Sequence, residues 1–393
     1  MKSKKNIAIS LLSVSPQRAT GSFIYIKNLL GNLFVSDDDN NYFLILNKDG
    51  YEYFKDKFSG YPNVKFQVLR ISRDVFSSPL RAILKLIARA KKDDHAKEEI
   101  LKKEIQYFVE KNKIDIVFYP FGVIYPAGLK NVKTVTTIFD IQHEYLSSNF
   151  PEKYLKRRKR DSIYAIRNSD RIIAISQFTK LSLMEKYGVD PDKVSVIYLA
   201  PQEQVVNHCS QLGLPDNFVF YPAAMWPHKN HKILIEAMSL LRLKFPDIHL
   251  IFTGPVKNKK LKEELVSLAV SCGLKDRTNF MGFVLDENMS LIYKKAKVLV
   301  FPSSFEGFGI PLVEAFSYGV PVIAADNTSI SEIVGTAGIL VETGNVQALA
   351  GAIEEVLSDD NFRQDLIKRG HERARDFSWT ETARKTLDVF NCL

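Results

Sequence analysis

An α/β fold built from two doubly wound, parallel-sheet halves is predicted by three features of the sequence. First, short β-rich apolar runs recur almost from end to end: "NIAISLL", "YFLIL", "DIVFY", "KTVTTIF", "RIIAIS", "NFVFYP", "HLIFTG", "KVLVFPS" and "VPVIAA". Runs that stay apolar, instead of alternating with polar residues, belong to strands covered on both faces, as parallel strands are. Second, helical patterns such as Lys232–Leu243 and Lys259–Cys272 separate the runs and supply the crossovers that parallel strands need. Third, the alternation breaks over Ile197 to Asn217, a polar loop with Pro201 and Pro215, and restarts at Phe218. The 393 residues then divide into nearly equal halves, each of ordinary domain size.

Composition narrows the function classes. Hydrophobic residues make up 46% and charged residues 25%, which fits a globular chain with a large core and excludes disorder. The formal net charge of +9 points to an anionic partner: nucleic acid, a phosphorylated small molecule or an acidic membrane face. Nucleic acid has only the net charge behind it, since no recognition motif and no aromatics set in a basic stripe accompany it. The basic residues are densest in "KYLKRRKR", Lys153 to Arg160, on an expected helix whose charge suits either plain solvation or an anionic surface. Cys209, Cys272 and Cys392 are far apart and odd in number, which argues against a disulfide framework or a zinc site and for a reducing cytoplasm. The start, "MKSKKNIAISLLSVS", has a basic front, but its short apolar run leads into "SPQRATG" as a first strand and loop would, so a signal peptide is not expected. No stretch approaches the ~20 apolar residues that span a bilayer.

The chemistry-bearing stretch is "FPSSFEGFGIPLVEA", Phe301 to Ala315. A buried strand runs into Gly307 and Gly309, which permit close backbone approach, and Pro311 suits the start of a helix. A strand, a glycine turn and a helix amino terminus make an anion site matched to a pyrophosphate. Glu314 then falls in the first turn of that helix, within reach of a ribose diol, since a carboxylate can accept two hydrogen bonds from vicinal hydroxyls. Glu306, ahead of the turn, is placed to accept from the hydroxyls of a second sugar. On spacing alone the commoner fate of such a pair is an exposed loop acid at Glu306 and a helix-dipole partner at Glu314. Lys229 in "WPHKNH" follows the run "NFVFYPAA", where a cation can neutralise charge growing on a departing diphosphate. The acidic cluster "SDDDNN" offers Asp37 and Asp39 as an Asp-x-Asp pair; a solvated turn is expected there instead of a divalent-ion site.

The segment from Pro302 to Val341 resembles the donor-binding segment of retaining glycosyltransferase family 4, whose mark is a Glu, seven residues, then Glu. Glu306 and Glu314 complete that mark, with Gly307-Phe308-Gly309 after the first acid and Gly319 and Pro321 after the helix. The resemblance extends through "SDRIIAISQFTK", "PHKN", "FTGP", "MGFV" and "FSW" in the family's order. It implies a GT-B fold, two Rossmann-like domains facing a central cleft. Residues 1–200 would form the acceptor domain, 201–375 the nucleotide-sugar domain, and 376–393 a helix crossing back to the first.

The resemblance also implies roles. Glu314 would hold the donor ribose; Glu306, with Gly307 and the backbone of Phe308, Gly309 and Ile310, would hold the donor sugar and phosphate. Lys229 would take the phosphate charge. Where many relatives carry an Arg near this lysine, the chain has His228 and Ala223, leaving His228 and Arg18 as candidates for a second cation. Gly21 matches the family's first-domain glycine loop. In "TIFDIQHEYL" Phe139 stands where the family has His, while Asp140 remains and His143 follows; either could contact the transferred sugar or take the acceptor's proton, or serve as a helix cap and a packed ring. Gly254 and Val284, in "FTGP" and "MGFV", match strand ends that enclose the base.

The implied activity is metal-independent, cofactor-free transfer of a hexose from a nucleotide-sugar to a glycan or lipid-linked glycan in surface polysaccharide or glycolipid synthesis, in the cytoplasm or at the inner membrane face. "WPHKNH" and "DIQHEY" look most like mannosyltransferase-type members, which makes GDP-mannose the first donor to test. Two rivals stay open: a sugar-nucleotide epimerase of the same fold, and a non-catalytic module that binds an anionic polymer or membrane.

Overall fold

The computed structural model describes residues 4–14, 21–69, 94–202, 212–256 and 258–393. The chain separates into two compact units. One comprises Met1–Ile175, Thr179–Ile197 and Trp379–Leu393, the other Ser176–Phe178 and Tyr198–Ser378. Each is a parallel sheet with helical crossovers, the α/β class the sequence predicts.

In the first unit the strands are β1 (Asn6–Ser10), β2 (Asn41–Leu46), β3 (Val64–Val68), β4 (Ile116–Tyr119), β5 (Lys133–Ile138), β6 (Arg171–Ala174) and β7 (Val194–Val196). Among the described residues they form one parallel sheet in the order β3-β2-β1-β4-β5-β6-β7. The β1 stretch Ile7–Ile9 and the β4 stretch Val117–Phe118 are fully excluded from solvent, as expected of runs covered on both faces. The chain's last helix, Trp379–Asn391, belongs to this unit and packs along helix Gly21–Ser36. Trp379 lies 6.3 Å from the Tyr25 ring, Phe390 packs edge-on against Phe118 at 5.4 Å, and Lys5 Nζ donates to the Phe390 carbonyl at 2.8 Å.

The second unit holds β8 (Phe218–Pro222), β9 (His249–Thr253), β10 (Thr278–Gly282), β11 (Val298–Phe301), β12 (Val322–Ala325) and β13 (Ile339–Val341). Their order is β10-β9-β8-β11-β12-β13. The winding direction reverses between β8 and β11, so the loops leaving these two neighbours diverge and open a crevice at their carboxyl ends, where open α/β sheets bind ligands. Lys229 is on the loop after β8 and Glu306 on the loop after β11. The predicted helices appear as His231–Leu241 and Lys259–Ser271, the latter capped by Asn258, whose Oδ1 accepts from Leu261 N at 3.1 Å.

The turn corrects the solvated reading at Asp37, whereas Asp38 and Asp39 are exposed as expected. Asp37 is buried, its carboxylate accepting from Asn40 Nδ2 at 2.7 Å, from the Tyr42 hydroxyl and from Asp39 N at 3.0 Å. The acid organises the entry to β2 because burial demands that each of its lone pairs find a donor. No helix among the described residues is long and apolar enough to cross a membrane.

Candidate active site

The second unit carries the predicted donor residues other than Gly21 and joins Lys229 to Glu306. The turn Pro227–Lys229 follows β8 and ends at Asn230, which takes a left-handed conformation (φ 52°). This turn is clamped onto the end of β11: Ser304 N donates to the His228 carbonyl at 2.8 Å, Asn230 Nδ2 to the Pro302 carbonyl at 3.1 Å, and the buried Tyr221 hydroxyl to the Lys229 carbonyl at 2.7 Å. With its backbone fixed at three points, Lys229 extends its ammonium to Glu306 Oε1 at 2.5 Å. The two side chains are only 17% and 12% exposed, so this pair is desolvated well beyond an ordinary surface ion pair.

Glu306 is held from the other side as well. Its N–H donates to Thr328 Oγ1 at 3.2 Å and its carbonyl accepts from the buried Ser329 hydroxyl at 2.9 Å. Gly309 then caps helix Ile310–Ser317 at φ 98°, a conformation that favours glycine. A Cβ there would meet Leu312 Cδ1 at 2.8 Å. Phe308 is buried between Tyr198 and Phe377, ring centroids at 6.0 and 5.8 Å, so it contributes to a ligand through its backbone. Gly254, after β9, sits at φ 122° with its N–H donating to the Gly282 carbonyl at 2.7 Å. A Cβ at Gly254 would come within 2.6 Å of the Ala223 carbonyl. Only glycine lets the β8 and β9 loops run this close. Val284, just past β10, is partly buried.

Glu314 lies in the second turn of its helix, not the first as expected, because the helix begins only at Ile310 after the left-handed Gly309; it is half-buried. Burial raises its carboxyl to about 7, with the Asp286 charge adding to the rise; the hydrogen bonds from Tyr293 and from the Gln202 backbone oppose it. The Tyr293 hydroxyl donates to Glu314 Oε2 at 2.7 Å. Sequence reasoning missed Tyr293, whose position inside an amphipathic helix reads simply as core.

In the first unit, Gly21 opens helix Gly21–Ser36 and is exposed; Arg18 lies outside the described residues. Asn47, also missed, holds the loop after β1 by donating Nδ2 to the Leu12 and Val14 carbonyls at 2.9 and 3.1 Å. Asp140 follows β5 and has both functions of a cap and an ion pair: Oδ1 accepts from Gln142 N at 2.9 Å and from Arg158 Nη2 at 2.8 Å. The structure corrects the reading of His143 as a group within reach of an acceptor. Its ring is fully buried, with the Tyr187 hydroxyl 3.3 Å from Nε2. Burial, assisted by the Arg158 charge, lowers its pKa to about 4, so the ring stays neutral at physiological pH. Among the described residues no three His, Cys, Asp or Glu side chains converge as a metal site would require.

The chain is similar to known proteins over most of its length. The profile of the family described as "Glycosyl transferases group 1" matches residues 210–373, and that described as "Glycosyltransferase Family 4" matches residues 78–200. The chain is 26% identical over 293 residues to O-antigen chain mannosyltransferase B of Escherichia coli, covering 71% of this chain and 75% of that protein. It is 29% identical over 291 residues to the serotype-specific mannosyltransferase WbdA of Escherichia coli; 70% of this chain is covered, but only 35% of the longer relative. In fold it resembles Anabaena HepE, solved in complex with UDP and glucose, with a TM-score of 0.73 at 20% identity over 99% of this chain and all of the other. WaaG, a glycosyltransferase involved in lipopolysaccharide biosynthesis, superposes with a TM-score of 0.67 at 14% identity, covering 98% of this chain and 99% of that one. With both family profiles matched in order, mannosyltransferases among its relatives and two Rossmann-like sheets of the GT-B class, the chain belongs to glycosyltransferase family 4.

Proposed function

We propose that this glycosyltransferase transfers mannose from GDP-mannose, with retention of anomeric configuration and without a metal, to a glycan or lipid-linked glycan of a surface polysaccharide. The observation that carries the reading is the Lys229–Glu306 pair at the β8/β11 reversal, beside a helix start capped by Gly309. A fixed, desolvated cation next to the positive, amino-terminal end of a helix suits a diphosphate. The adjoining carboxylate suits sugar hydroxyls.

In the proposed step the bond between the anomeric carbon and the diphosphate oxygen breaks, and its electron pair leaves on the diphosphate. The acceptor oxygen bonds to the anomeric carbon from the same face and its proton passes to a diphosphate oxygen. Lys229 and the helix start offset the growing charge; Glu306 orients the sugar and Glu314 the ribose. The similarity to two mannosyltransferases supports mannose, and the basic face of helix Glu152–Asn168 supports a cytoplasmic enzyme working at an anionic membrane surface.

The test is thermal shift against GDP, UDP, ADP, dTDP and their sugars without metal, followed by transfer from the donor that binds. A rise with GDP and GDP-mannose, and an α-linked mannosyl product, is expected. A response to UDP alone would replace the donor. Silence across the panel would overturn the reading.

A further inference from the structure

We infer that Tyr293 is a positioning residue for the nucleotide's ribose: its hydroxyl fixes one oxygen of Glu314 so that the other is presented to the ribose diol. The inference rests on the ribose role proposed for Glu314.

Tyr293 sits on helix Asp286–Lys295, which precedes β11, and is fully buried. Its hydroxyl donates to Glu314 Oε2 at 2.7 Å. Burial and the facing carboxylate push the phenol well above its ordinary pKa, so it remains a donor throughout the range in which Glu314 titrates. The ring cannot swing away. It stacks on Tyr318 with centroids 5.1 Å apart and planes 4° from parallel, and Phe220 of β8 closes the other contact edge-on at 5.1 Å. Tyr318 is itself tied by its hydroxyl to Ser290 Oγ at 2.6 Å. The ionisable groups facing Glu314 are therefore Tyr293, Asp286 and Tyr318, with the Gln202 N–H as a further donor.

A glutamate side chain has two free torsions beyond its Cβ, and a diol needs a carboxylate in one orientation. One strong hydrogen bond from a locked phenol removes that freedom before the nucleotide arrives, which lowers the cost of binding. A tyrosine serving only the core would have no need of its hydroxyl here, because a half-buried carboxylate could turn to solvent.

The test measures dissociation constants of GDP and UDP, and of their 2′,3′-dideoxy counterparts, for the wild type, Tyr293→Phe and Tyr318→Phe. In the wild type, removing the ribose hydroxyls is expected to weaken binding about tenfold or more, since hydrogen bonds to a charged group are being lost. In Tyr293→Phe that ratio is expected to shrink at least severalfold while dideoxynucleotide binding stays as in the wild type. Tyr318→Phe breaks the neighbouring hydroxyl pair in the same stack and should leave the ratio intact. An unchanged ratio in Tyr293→Phe would overturn the inference. So would equal weakening of ribo- and dideoxynucleotides, or the same loss in both Tyr variants, because each marks a general loosening of the core. Absence of any ribose preference in the wild type would instead remove the ribose role of Glu314 itself, and the inference with it.

Discussion

Binding of the nucleotide-sugar should strengthen as pH rises through neutrality, because Glu314 has a carboxyl pKa of about 7 and a diol prefers the ionised form. The sign follows from the raised value: below it the folded protein holds a proton on Glu314, and that proton must leave before both oxygens can accept. At about pH 6 roughly a tenth of the molecules carry the ionised group and at about pH 8 roughly nine-tenths, so the dissociation constant should fall about tenfold, equivalent to ~1.4 kcal/mol. The measurement is calorimetric titration with GDP-mannose, whose diphosphate has no ionisation in that interval comparable to the terminal phosphate of GDP. Glu314→Gln carries no titratable group and should bind more weakly with the slope abolished. A flat wild-type profile, or the same slope in Glu314→Gln, would refute the reasoning, since the proton would then belong elsewhere.

Other outcomes follow from the same geometry. Glu306→Ala should abolish transfer while leaving circular dichroism like that of the wild type, with a lowered melting midpoint because Lys229 loses its desolvated partner; unchanged turnover would remove Glu306 from the site. Lys229→Met should lower kcat by about a hundredfold or more, the range seen when a preorganised electrostatic partner is lost, and normal turnover would show that another cation takes the charge. Gly254→Ala should destabilise the second unit by about 2–4 kcal/mol, because it adds a Cβ against the Ala223 carbonyl as well as strain at φ 122°. Gly282→Ala, at φ 72° with open space around it, should cost only about 1–2 kcal/mol, and equal melting shifts would show that crowding is not the constraint at Gly254. Replacing Lys153, Arg157 and Arg160 by Glu should reduce co-sedimentation with anionic vesicles; binding indifferent to both lipid charge and these changes would leave the membrane face without support.

How far the fold was legible depended on where each strand sits. The nine apolar runs quoted from the sequence became strands, and all nine lie inside a sheet with a neighbour on each side. The strands without such a run are β3, β7, β10 and β13, the four sheet edges among the described residues, and of these only the end of β10 was read, through the resemblance of "MGFV". An edge strand has only one neighbour and leaves part of its length to solvent, so "VKFQV", "VSV", "TNFMG" and "ILV" carry polar or short patterns with no continuous run. In the site, the spacing of Glu306 and Glu314 was legible, as was the helix start between them. Their environments were not. Nothing in local spacing joins Lys229 to Glu306 across 77 positions, or places Tyr293 under Glu314. His143 misled for the opposite reason: an imidazole near a strand end suits proton transfer, but its enclosure depends on Tyr187, 44 positions later.

The last helix has a consequence for biogenesis. Trp379, Ala383 and Phe390 fill the core of the unit that begins the chain, beside Tyr25 and Phe118. During vectorial synthesis the first unit therefore emerges early but must wait, with an unfilled groove along helix Gly21–Ser36, until the whole second unit has been translated. The domain made first is completed last. A nascent chain in this condition exposes that apolar surface while residues 198–378 are being made, when unfolded or partly folded chains are most prone to aggregate. A premature stop that removes only the final helix would damage the early unit and leave the second unit, made later, with its sheet complete.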